Sequence, residues 1–224
     1  MTIFNGIDIR ARVAGHTVGI TALRGLPTSG IGDVMGGRIV GTTALRPVNR
    51  SPVAICGNAF TVRVRAGDNL LIHKALDLLE TGDVLLVDSE GDTSRALVGE
   101  IMMTSARVRG CVGFVMDGAI RDVEAFEQHQ FPCWARGVSL RGPYKNGPGS
   151  INVPVTVGGM LVNPGDVIVG DADGVVAVSP AVAVEVAVKA RAKVAQEQAT
   201  IAAILAGTYS SAWVDAALDK LEKQ

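Results

Sequence analysis

Long hydrophobic runs, paired cysteines, abundant aromatics and an excess of either charge are all missing from this 224-residue chain, and each absence removes a class of function. No stretch reaches the roughly 20 apolar residues that a membrane span needs. The opening residues, Met1 to Gly6, lack the basic-then-apolar order of a signal peptide. Together these absences lead to the expectation of a cytoplasmic protein. Lys and Arg number 21 and Asp and Glu 22, a formal net charge of −1, and no basic run is long enough to track a phosphate backbone. Nucleic acid is therefore not expected as a direct ligand. The three cysteines, Cys56, Cys111 and Cys133, are odd in number, far apart and set among apolar neighbours. They read as reduced core residues and not as a disulfide framework or a zinc site. With neither Cys-x-x-Cys nor paired histidines, any metal must be held by carboxylates, which favours Mg2+ or Mn2+ over structural zinc.

What the chain does have is a core. Hydrophobic residues make up 48% and charged residues 19%, enough to bury a full interior. The 27 glycines beside 4% aromatics suit short strands and turns packed by Val, Ile, Leu and Ala. Thr28 is placed as the N-cap of a short helix over 29–35 that Gly36 and Gly37 stop. Gly57 to Arg65 alternates Phe60, Val62 and Val64 against Thr61, Arg63 and Arg65, the pattern of a half-buried strand. Gly67-Asp68-Asn69 caps a helix over about 70–79. A strand over 84–88, a helix over 95–107 and a buried strand over 111–116 form a parallel crossover unit, with Gly118 to Asp122 leaving its end. Ligands collect at the C-terminal ends of such strands, where Ser89–Ser94 and Asp117–Asp122 fall. An irregular loop over 142–149 precedes short strands over 151–157, 160–162, 167–169 and 175–178. A long Ala-rich helix follows from Pro180 to about Ala206, and a short amphipathic one over 211–222. The reading is a mixed α/β chain forming one domain over 1–224.

Three stretches carry candidate chemistry: Gly99-Glu100-Ile101-Met102, Asp117-Gly118-Ala119-Ile120-Arg121-Asp122, and Glu197 on the long helix. An adjacent Arg and Asp suit a 2-oxo acid. The carboxylate can hold a hard divalent cation that chelates the acid and keto oxygens. The guanidinium can meet the charge that develops on the C2 oxygen when the C3–C4 bond breaks. A second carboxylate can serve proton transfer through water.

The ordered set resembles the 4-hydroxy-4-methyl-2-oxoglutarate / 4-carboxy-4-hydroxy-2-oxoadipate aldolases and their relatives, the RraA-like regulators of ribonuclease E. Leu26-Pro27-Thr28 with Asp33, Gly67-Asp68-Asn69, Gly82 to Asp88, Pro164-Gly165-Asp166 and Gly170 to Val176 agree with the same pattern, and the likeness spans about 20–207. It implies a compact β/β/α barrel-like core of swivelling-domain type with C-terminal helices. It implies Asp122 as the metal ligand, Arg121 as the residue on the keto oxygen and enolate, and Glu100 as the residue ordering water at the metal. The amides of Gly99, Glu100, Ile101 and Met102 would take the pyruvyl carboxylate, and Glu197 would reach the site from a neighbouring subunit. Implied too are Mg2+ or Mn2+, a small 2-oxo diacid substrate, oxaloacetate decarboxylation as a side activity, and a homotrimer or homohexamer with sites at subunit boundaries. The family pattern often carries an acidic residue three positions after the aspartate. Ala125 stands there, flanked by Glu124 and Glu127, which leaves substrate choice open.

Plainer readings apply elsewhere. Asp88, Glu90 and Asp92 lack the ligand pattern of a calcium loop. Asp171 and Asp173 suit a hairpin turn, His73 suits packing or solvent, and Met102 and Met103 suit helix packing. Two other functions stay open: a regulator that binds ribonuclease E without catalysis, and a different keto-acid lyase of the same family. A methyltransferase does not fit, because the loop after Asp88 has one glycine and flanking acids where a nucleotide-type cofactor wants a glycine-rich turn.

Overall fold

The computed structural model describes residues 6–36, 44–51 and 53–221. The chain runs β1 (Ile7–Ile9), α1 (Thr17–Leu23), α2 (Thr28–Val34), β2 (Arg46–Pro47), β3 (Ile55–Val64), α3 (Leu70–Leu76), β4 (Asp83–Asp88), β5 (Ala96–Val98), α4 (Glu100–Val108), β6 (Gly113–Ile120), α5 (Val123–Gln128), β7 (Cys133–Val138), β8 (Gly149–Ile151), β9 (Val155–Val157), β10 (Met160–Val162), β11 (Val167–Gly170), β12 (Val175–Val178), α6 (Ala183–Leu205) and α7 (Ala212–Leu221). Gly37, Met1 to Asn5 and Glu222, which figure in the expectations above, lie outside the described residues.

The centre is a parallel sheet in the order β3-β4-β6-β7, reached by right-sized crossovers through α3, α4 and α5. The free edge of β3 is shared. β11 pairs antiparallel with its first half and β8 with its last residues, and β12 and β1 extend those two arms. Strand alternation then sorts the core into layers. Phe60, Val62, Leu85, Val87, Phe114 and Met116 face α3, α4 and α5. Ala59, Val84, Leu86 and Val115 face the β9–β10 hairpin. A third cluster packs α1, α2 and α6 on β11 and β12. The chain is thus a mixed α/β fold with helix, sheet and strand layers, and the C-terminal helices follow as expected.

Several elements begin or end elsewhere than the sequence reading places them. Residues 96–98 are a strand, not the start of a helix. Ala96, Leu97 and Val98 are all buried and pair with the end of β6, so tertiary pairing outweighs the good helix propensity of Ala96 and Leu97. The helix starts five positions later, at Glu100. β6 runs on through Ile120, so most of Asp117–Asp122 is buried strand and not loop. Gly118 is needed there, because a Cβ would sit 2.7 Å from Leu97 Cδ1 and 3.0 Å from Asp92 O. Thr28 does not cap α2. It is the first helical residue, and its amide and hydroxyl both donate to Asp171, at 2.8 and 2.6 Å. α3 ends at Leu76, α6 begins at Ala183, and the 151–157 strand divides into β8 and β9. The three cysteines are free thiols, and Cys111 and Cys133 are buried. Among the described residues no helix is long and apolar enough to cross a membrane.

Candidate active site

β6 and α5 meet at Asp122, and the turn between them aims the site. Phe114 on β6 packs edge-on against Phe126 of α5 and Phe131, with ring centroids 6.2 and 4.9 Å away. Fully burying a phenyl ring is worth about 1.5–3 kcal/mol, so α5 is held firmly behind the strand. The connecting residue Asp122 takes the left-handed conformation, φ 58° and ψ 42°. That region disfavours side chains, although aspartate tolerates it better than most. The consequence is directional. Asp122 occupies the N-cap position of α5 yet makes no side-chain bond to its amides. Its Oδ2 instead accepts from the Glu100 amide at 3.1 Å, at the start of α4, and lies 3.6 Å from Arg121 Nε. Asp122 Oδ1 has no protein partner among the described residues.

Gly99 makes this approach possible. A Cβ there would overlap Asp122 Oδ2 and lie 3.0 Å from Arg121 Cγ. The backbone of Gly99 is extended, so the requirement is for space and not for a special φ. Beyond it the first amides of α4 have no acceptor within the helix. The Glu100 amide goes to Asp122, and Ile101 and Met102 line a cavity of about 150 Å3. Such a helix start favours an anionic group.

Arg121, Asp122, Gly99, Ile101 and Met102 all line that cavity. The structure thus brings these five residues of the sequence reading together at one cavity. Glu100 is exposed and outside the lining, and reaches the site through its amide. Glu197 is also outside it, half-exposed on α6 and 3.5 Å from Lys193, which in turn lies 3.4 Å from Asp33. Ala125 is buried behind the site. Its neighbour Glu127 turns away to accept from the Arg50 amide at 2.8 Å.

The opposite wall was not read as part of the site. It comprises Asn69 and His73 of the α3 segment and Pro143 and Lys145 of the following loop. Asn69 Nδ2 donates to Leu97 O at 2.9 Å and contacts Met102 Sδ at 3.4 Å, which locks the two walls together. Its Oδ1 is buried without a partner. His73 sits below its ordinary pKa, pushed down first by partial desolvation and then by Lys145, with Asp77 opposing. The signal available in the sequence was the spacing of Asn69 and His73, four apart and hence on one helical face.

The loop that carries Lys145 is fastened at several points. Asp68, fully buried, accepts from Leu70 N at 2.9 Å with one oxygen and from Asn146 N and Gly147 N at 2.7 and 3.0 Å with the other. Arg95 stacks 4.0 Å from the Tyr144 ring centroid and donates to Gly142 O at 2.6 Å. The cavity is thus walled by one carboxylate, two cations, a histidine and a helix start, an arrangement able to bind a small polyanion and to stabilise charge that develops on it.

The donor set also fits a hard divalent cation. Among the described residues no three His, Cys, Asp or Glu side chains converge into a cage. Mg2+ and Mn2+ do not need one, since Mg2+ commonly takes one or two carboxylates and completes its shell with substrate oxygens and water. Asp122, with one oxygen uncommitted and space in front of it, meets that requirement.

Comparison with known proteins agrees with the fold. The family model described as "RraA-like: Aldolase/RraA" matches residues 28–177. A protein of Halalkalibacterium halodurans, provisionally named a 4-hydroxy-4-methyl-2-oxoglutarate aldolase, is 40% identical over 185 residues, covering 83% of this chain and 88% of its own. A Pseudomonas syringae pv. tomato structure without assigned function superposes with a TM-score of 0.78 at 25% identity, over 93% of this chain and 95% of that one. The RNA-processing inhibitor RraA from Thermus thermophilis superposes with a TM-score of 0.62 at 27% identity, over 68% and 92%. This chain belongs to the RraA-like family.

Proposed function

We propose that the chain is a carbon–carbon lyase. It cleaves 4-hydroxy-2-oxo diacids, of the 4-hydroxy-4-methyl-2-oxoglutarate or 4-carboxy-4-hydroxy-2-oxoadipate type, to pyruvate and a second 2-oxo acid. The observation that carries this reading is the convergence of Arg121, Asp122 and the first turn of α4 on one small cavity. The name of the Halalkalibacterium relative supports the same chemistry.

Each group has a role. The start of α4 binds the C1 carboxylate through the amides of Ile101 and Met102. Arg121 directs its guanidinium at the C2 oxygen, where negative charge accumulates as the C3–C4 bond breaks. Asp122 would hold Mg2+ or Mn2+, which as a Lewis acid supplies further stabilisation of that charge. Lys145, fixed by its loop, meets the second carboxylate. Oxaloacetate should be decarboxylated in the same site, because loss of CO2 leaves the same pyruvate enolate.

We also propose a homotrimer or homohexamer, with Glu197 presented to a neighbouring subunit. In support, α7 buries none of its residues, and the end of α6 with α7 exposes Ile201, Ile204, Leu205, Trp213 and Leu218. An apolar patch of that kind marks an interaction surface.

The test is pyruvate release from 4-hydroxy-4-methyl-2-oxoglutarate and from oxaloacetate, coupled to lactate dehydrogenase, with Mg2+ and with EDTA. Release from both, abolished by EDTA, is expected. Release from oxaloacetate alone would move the natural substrate to another keto acid. No release from either above the metal blank would favour the non-catalytic, ribonuclease-binding role.

A further inference from the structure

The roles above leave the C4 hydroxyl without a proton acceptor inside the chain, since Glu100 and Glu197 both lie outside the cavity. A 4-hydroxy-2-oxo diacid at neutral pH has a single hydrogen-bond donor, its C4 hydroxyl, because its carboxylates and keto group only accept. His73, on α3, is exposed and lines the same cavity as Arg121, Asp122 and Lys145.

We propose that His73 is the general base that takes the proton of the substrate's C4 hydroxyl. This deepens the aldolase reading and rests on it. The hydroxyl O–H bond breaks and the proton passes to an imidazole nitrogen. The oxygen's electron pair forms the new C4 carbonyl, giving the second 2-oxo acid. The C3–C4 pair moves to C3 and into the C2 carbonyl, whose charge Arg121 meets. A proton from water completes pyruvate at C3, and the exposed imidazolium returns its proton to solvent, so no oxidant or reductant is needed. The charged groups around His73 are Lys145 from the loop, Lys74 and Asp77 from its own helix, and Arg121 and Asp122 across the cavity. Desolvation and Lys145 hold the ring below its ordinary pKa, so at neutral pH it is free to accept.

Oxaloacetate provides the comparison, because losing CO2 removes no hydroxyl proton. His73 is exposed at the rim of the cavity, so His73→Asn leaves the packed core undisturbed. The full chain and His73→Asn are assayed on both substrates between about pH 5.5 and 8.5, a range that spans histidine titration. Aldol cleavage is expected to fall by about 100-fold or more. Decarboxylation should fall far less, and the acidic limb of the aldol pH profile should disappear. Equal losses on both substrates would overturn the assignment, as would aldol turnover that keeps its rate and its acidic limb. A wild-type chain inert on both substrates would overturn the aldolase reading itself.

Discussion

Arg121 and Asp122 owe their positions to a single left-handed residue, and that geometry makes firm demands on neighbours. Gly99→Ala would push a methyl group into the Asp122 carboxylate. We expect it to fold but to lose most pyruvate-releasing activity, with kcat falling by at least about tenfold as the carboxylate is displaced. Circular dichroism beside the coupled assay checks this, and full activity would show that the close approach is unimportant. Arg121→Lys should not rescue Arg121→Ala, since a point charge cannot reproduce the planar fork. Loss of a charge-stabilising donor of this kind costs about 100- to 1,000-fold in kcat. Arg121, Asp122 and the Gly99–Met102 turn were legible because short, ordered stretches carry them. Asn69, His73 and Lys145 were not, because residues far apart in the chain form one wall only after the loop folds onto α3.

Among the elements, the loop over 142–149 is a fixed wall and not a free lid. Buried Asp68 makes three backbone hydrogen bonds that tie it to the start of α3. Asp68→Ala strands those amides, at a cost of about 1–3 kcal/mol. The expected outcome is a lower unfolding temperature together with a raised KM for the diacid, larger than the change in kcat, because Lys145 loses its placement. An unchanged KM would remove Lys145 from substrate binding. The order of strands and crossovers from Gly57 to Ile120 was readable from alternation and glycine punctuation. The nature of 96–98 was not, since Ala-Leu-Val serves a helix or a buried strand equally, and pairing with β6 decides. Thr28 illustrates the same limit. It has the residue type of a cap, but its partner Asp171 is 143 residues away.

For the whole molecule, α7 buries none of its residues on its own chain, which supports the proposed assembly. Size-exclusion chromatography with light scattering should find a trimer or hexamer, and removing residues 208–224 should shift it toward smaller species. A monomeric full-length chain would refute the assembly and leave Glu197 on the surface. Carbon–carbon cleavage at the Arg121–Asp122 cavity is tested most directly by pyruvate release from 4-hydroxy-4-methyl-2-oxoglutarate by the wild-type chain and by Asp122→Ala, side by side in Mg2+. Metal-dependent release by the wild type, and release no faster than the metal blank by Asp122→Ala, is the expected result. Pyruvate release at the wild-type rate by Asp122→Ala would contradict it.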